Sequence, residues 1–215
     1  MNANLLLVLS IAIAEPQPTN QRKDLADAEC VALASCSYLE GDTHALVELE
    51  LAKALLEEPH RGYRYVFRLF KLAASHETRK NRRRGLLAEL PDIPTHNRIG
   101  APDPVRAGAL VVDSEGQRIF VIISKSIGGH VILRAYGFAL GESAEQVVAQ
   151  KVPPRPFAQI EDHGGETDGS VRSLTAHIEE NAILITAKAS DTDARDREFL
   201  LDLGTKSLSK KRTGR

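Results

Sequence analysis

The sequence predicts a mainly β protein, antiparallel meanders forming a sandwich-like body with one or two short helices, and three observations predict it. Short apolar runs alternate with polar residues at a period of two, as in 63–70, where Tyr63, Tyr65, Phe67 and Leu69 share one face. Turn-forming residues such as Gly41-Asp42, Asp113-Ser-Glu-Gly116 and Gly128-Gly129 separate these runs. The runs of the second half are rich in Val and Ile, whose branched side chains suit a pleated surface.

At the N-terminus, residues 1–14 carry no charged side chain and end in Ala12-Ile13-Ala14 before Glu15-Pro16, the pattern of a secretory signal with a small-residue cleavage site. They are expected to be removed, leaving a periplasmic or extracellular protein. The stretch lacks the usual Lys or Arg, and the same Leu, Val and Ile run also suits a buried strand. Its apolar part, residues 5–14, falls well short of the roughly 20 residues a membrane-crossing helix needs, and no other span follows, so no transmembrane segment is expected.

In an N-terminal lobe, residues 15–90, Leu25, Ala28, Ala32 and Leu33 have helical spacing with Asp24 and Asp27 near the start, so 23–34 reads as a short helix, or as the entry to a strand through Tyr38 and Leu39. Val47, Leu49 and Leu51 alternate with Glu48 and Glu50, and a hairpin with 63–70 would set these acids opposite Arg64 and Arg68. Residues 76–90 read as a basic, exposed helix with an apolar end. Pro91, Pro94, Pro102 and Pro104 make 91–104 a connection between halves. A β-rich lobe, 105–215, follows, with strands at 109–112, 118–123, 130–133, 171–178, 183–187 and 199–203, a short helix at 142–150, and a long loop opened by Pro153, Pro154 and Pro156.

Composition narrows the function. With 28 Lys and Arg against 29 Asp and Glu, no global field draws the chain to nucleic acid, which is not an expected partner, so an anionic partner must use a local patch. The absence of Trp weighs against stacking on carbohydrate. Cys30 and Cys36 stand about 9 Å apart in a helix and about 20 Å apart in a strand, too far for a disulfide unless the chain reverses between them, and they read as two small buried thiols.

The motifs that could carry chemistry are incomplete. His76-Glu77-Thr78-Arg79-Lys80 has a cation where a zinc-protease helix needs its second His. Asp191, Asp193 and Asp196 resemble a calcium loop, but the required glycine is missing and Arg195 intrudes, so no metal is expected. The glycine-rich loop 162–169 offers His163 and Asp168 for acid–base work, and His177 would share a strand face with Glu179. No nucleophile elbow, phosphate loop or Cys-x-x-Cys accompanies them, and no cofactor is expected. The densest charge is Arg79, Lys80, Arg82, Arg83 and Arg84, with a second basic run at 210–215.

The resulting expectation is an exported, non-catalytic binding protein, an inhibitor, adaptor or envelope component, whose partner is a protein or an anionic envelope component and whose first candidate surface is Arg79 to Arg84. The alternatives are a small secreted hydrolase or metal-dependent enzyme using the loop 162–168 with His177 or His130 and, if the N-terminus is retained, a cytosolic nucleic-acid binder.

Overall fold

The computed structural model describes residues 29–40, 43–56, 62–72, 84–94, 103–113, 117–140, 154–164, 169–190 and 194–211, and every regular element among them is a strand. The protein is mainly β, with three antiparallel four-stranded sheets packed together. Sheet A contains β1 (Glu29–Glu40), β2 (Thr43–Leu56), β3 (Gly62–Leu72) and β4 (Arg84–Pro91). Sheet B contains β5 (Val105–Asp113), β6 (Arg118–Ile127), β7 (His130–Ala139) and β8 (Ala158–His163). Sheet C contains β9 (Val171–Glu179), β10 (Ala182–Ala189), β11 (Arg197–Asp202) and β12 (Ser207–Lys210). Each is a meander in which every strand bonds to the next in the chain, so no crossover is needed.

Sheet B is the middle layer because its strands are apolar on both sides. Ile119, Val121 and Ile123 of β6 pack with Leu49, Phe67 and Leu69 of sheet A, whereas the intervening Phe120 and Ile122 pack with Ile183, Ile185 and Phe199 of sheet C. A strand covered on both faces needs a near-continuous apolar run, which 119–123 supplies. Each fully buried residue of this kind is worth about 1.5–3 kcal/mol. Sheet C is apolar mainly on its inner side; Thr175, His177, Glu179 and Lys188 face out, along with Leu184 and Leu200. The first core also takes Leu90 from before stretch 91–104, Ile93 from within it and Leu110 from beyond it.

The layers approach closely at β5, where the sequence is small. A Cβ on Gly108 would stand 2.5 Å from Leu49 Cδ2 and 3.2 Å from Leu33 Cδ1. Leu33 reaches that contact from a β-bulge, since the β1–β2 register shifts between Ala32 and Ala34.

Several expectations need correction. The helix expected over 76–90 is a strand where it is described: β4 lies along β3, pairing Leu86 with Phe70 and Leu90 with Phe67. Leu, Ala and Glu favour a helix in isolation, but the free edge of β3 and the core beneath it override that preference. The same holds for 29–34, part of the helix expected over 23–34, which β2 recruits as β1. Residues 158–163, taken as loop, form β8 on the edge of β7. The expected hairpin does pair Glu50 with Arg68, although Arg64 stands opposite Ala54 and Glu48 opposite Phe70. Cys30 and Cys36 form no disulfide and lie on one strand, which holds them apart; Cys36 packs against the core but Cys30 is exposed rather than buried.

No helix among the described residues is long and apolar enough to cross a membrane. The signal-like residues 1–14 and the helix expected at 142–150 lie outside the described residues.

Candidate functional site

Three side-chain constellations stand at the margins of sheet B and at one end of sheet C. The first is built by the β7–β8 pair. His130 and His163 are direct cross-strand partners, and Glu161 is two residues before His163, so all three project from the same face. That face is the one turned toward sheet A, since Ile132 and Tyr136 of the same alternate set lie in the core shared with it. The imidazole rings stack at 4.6 Å between centroids and 2° between planes. Glu161 Oε1 lies 2.8 Å from His130 Nε2 and 3.8 Å from His163 Nε2. Glu161 and His163 are exposed and His130 is part-buried.

Behind that cluster, on the side of sheet C, Asp162 is held by Arg197 Nη1 at 3.4 Å and by Lys210 Nζ at 2.9 Å. The same Arg197 donates to the carbonyls of Gly129, at 2.6 Å, and Gly169, at 3.1 Å. Its side chain is only 4% exposed. One guanidinium therefore ties the turn before His130 to the strand that carries Glu161 and His163.

The second constellation closes the A–B junction. Asp92 accepts from Arg106 Nη2 at 3.0 Å and from Lys125 Nζ at 3.0 Å. Lys125 also donates to the Ile93 carbonyl at 2.6 Å, and Arg106 to the Pro104 carbonyl at 2.8 Å. The Arg106 guanidinium carbon lies 3.5 Å from the centre of the Tyr65 ring, and the Tyr65 hydroxyl donates to Asp103 at 2.5 Å. Burial, then the bond to Asp103, push the Tyr65 hydroxyl up to about 12. Burial alone would raise the Asp103 carboxyl, but the Tyr65 hydroxyl and the Arg106 guanidinium outweigh it and hold that carboxyl below its usual range.

The third lies at the end of sheet C. Arg172, Lys188 and Arg195 surround an open depression of about 450 Å³ with Asp196 beside them. All three cations are exposed. Asp196 Oδ1 is engaged in accepting the Ala189 N–H at 3.2 Å. Three like charges around one hollow repel one another and favour an anion there over Ca²⁺.

The residues singled out by sequence are dispersed. His163 joins His130 and Glu161, whereas His177 lies on sheet C, where its Nε2 is 3.0 Å from Glu179 Oε1, the same-face pairing the spacing predicts. Asp196 belongs to the basic depression. Asp168, Asp191, Asp193, Arg79, Lys80, Arg82 and Arg83 lie outside the described residues, and Arg84 opens β4. Of the C-terminal basic run, Lys210 pairs with Asp162 and Lys211 with Glu198 at 3.4 Å. The sequence reading groups His130 with the loop 162–168 that carries His163 but overlooks Glu161, because the residues of β8 read as loop. The signal was the alternation of Ala158 and Ile160 with Gln159 and Glu161. Comparison with protein-family models finds no match, and comparison with curated proteins finds none.

Proposed function

We propose that this chain is an exported, non-catalytic binding protein that engages an acidic segment of a protein partner through the basic end of sheet C. The observation that carries the reading is the depression ringed by Arg172, Lys188 and Arg195. These side chains make no ion pair with a described residue, in contrast to Lys210 and Lys211, whose charges are spent inside the fold. An exposed cluster of this kind steers and registers an anionic partner, with an affinity that falls as salt rises. The depression is open and the carboxylate of Asp196 shares it, which suits a chain of spaced carboxylates better than a dense polyphosphate. Export is supported by the uncharged run at 1–14.

The test is poly-glutamate binding to the full chain at low and high salt, with the double variant K188E/R195E beside it. Both positions are exposed, so the fold is expected to survive. Removing two surface charge pairs worth up to about 1 kcal/mol each weakens binding by roughly tenfold or more. Unchanged binding, or binding indifferent to salt, overturns the reading. The mass of the protein isolated from its native host tests export separately.

A further inference from the structure

We propose that His130, Glu161 and His163 form a binding site for a divalent transition-metal ion of the Zn²⁺ class. The proposal is independent of the basic depression, since it rests on a different sheet and a different chemistry.

Two imidazoles and one carboxylate form a donor set that suits Zn²⁺, with the remaining coordination position left to water. In tetrahedral coordination, with bonds of about 2.0–2.1 Å, neighbouring donor atoms stand roughly 3.4 Å apart. The carboxylate oxygen lies at 2.8 and 3.8 Å from the two Nε2 atoms, distances that bracket this value. All three ligand atoms fall within 4.8 Å of one another. Both Nε2 atoms lie near the one Glu161 carboxylate oxygen. The stacked rings hold their nitrogen lone pairs in parallel planes, so binding an ion requires the exposed His163 ring to turn out of the stack until both planes meet at the metal.

The frame beneath is already set. His130 and His163 are locked in register by the β7–β8 ladder, and the Gly164 N–H donates to the Gly129 carbonyl at 3.2 Å immediately beyond them. Arg197 fixes the Gly129 carbonyl and Asp162 from the opposite face, so both strands carrying ligands share one buried anchor. A site whose backbone is held in this way loses little conformational entropy when the ion binds. The exposed side chains leave the ion open to solvent, as an exchangeable ligand position requires.

Calorimetric titration of the chelator-treated full chain with zinc chloride tests the proposal, alongside H163A, E161Q and H177A. Wild type takes up one equivalent, and H163A and E161Q each weaken uptake by at least about tenfold. H177A, which deletes the imidazole of the separate His177–Glu179 pair, leaves affinity unchanged. The His163 side chain is 76% exposed, so its removal does not threaten folding. No uptake by wild type, wild-type affinity in H163A, or an equal loss in H177A overturns the proposal.

Discussion

Sheet B meets its two neighbours through apolar cores of similar make-up but handles charge differently on its two sides. Toward sheet A, one carboxylate, Asp92, faces two cations whose side chains are each only 6% exposed, Arg106 and Lys125. The excess positive charge is absorbed by the carbonyls of Ile93 and Pro104, the Tyr65 ring and Asp103. Toward sheet C, Asp162 faces one buried cation, Arg197, while Lys210 approaches from the surface. The first arrangement ties the 91–104 stretch to β5 and β6 by gathering two cations around one anion; the second is a one-to-one pair that also grips two carbonyls.

The largest difference should appear when each anion is neutralised without changing its shape. Asp92→Asn leaves two buried cations facing an amide, and breaking buried pairs costs about 3–5 kcal/mol. Asp162→Asn leaves Arg197 with the Gly129 and Gly169 carbonyls and releases Lys210 to solvent, so about 1–2 kcal/mol is expected. Urea denaturation of the two variants measures both. Equal losses would mean that the number of buried cations per carboxylate does not set the cost.

A smaller contrast lies in the packing at two glycines. Gly108 faces sheet A, and the methyl of Gly108→Ala would meet Leu49 at 2.5 Å in the core. Overpacking of that kind costs about 1–3 kcal/mol. Gly137 lies on the opposite side, where the same methyl meets Phe157 at 3.6 Å and Phe120 at 3.8 Å, ordinary contact distances. Gly137→Ala is therefore expected to be neutral or stabilising by roughly 0.5 kcal/mol, through the smaller entropy of its unfolded chain. Thermal midpoints should move in opposite directions, and a loss in both would show that close approach is general to sheet B.

Strands β5 to β7 of sheet B and β9 to β11 of sheet C were legible because their apolar periodicity is local. Residues 119–123 and 183–185 can hardly be anything but covered strand. β4 was misread because Leu86-Leu87-Ala88-Glu89-Leu90 has a helical composition, and only the neighbouring edge of β3 decides otherwise. The candidate site was half legible. His163 and the same-face geometry of His177 with Glu179 follow from spacing, but His130 and Glu161 come together with His163 only through the β7–β8 register. Likewise Arg172 stands near Arg195 only because β10 pairs with both β9 and β11, and nothing local in the sequence encodes that distance.

The smallest expected effect concerns the titration of the A side. Tyr65 has its folded value raised from 10.0 to about 12. Its contribution to stability is therefore complete below the ordinary tyrosine value and disappears as pH climbs through the window between 10.0 and about 12, where the unfolded chain ionises first. Asp103 behaves oppositely: held below its usual range, it contributes above the ordinary carboxylate value and loses that contribution as pH falls through its lowered folded value. Since burial is the larger cause for Tyr65, Asp103→Asn should bring its ionisation only part of the way back toward 10.0. Ultraviolet difference titration of wild type, Asp103→Asn and Tyr65→Phe reads this directly, with Tyr65→Phe identifying the late-ionising phenol. The Asp162–Arg197–Lys210 set includes no tyrosine, so alkaline weakening should fall on the A side and shrink in Tyr65→Phe, with the remainder from Tyr136, whose hydroxyl burial also raises. An alkaline titration identical in wild type and Asp103→Asn would mean that the carboxylate beside Tyr65 does not raise its hydroxyl and that burial alone does.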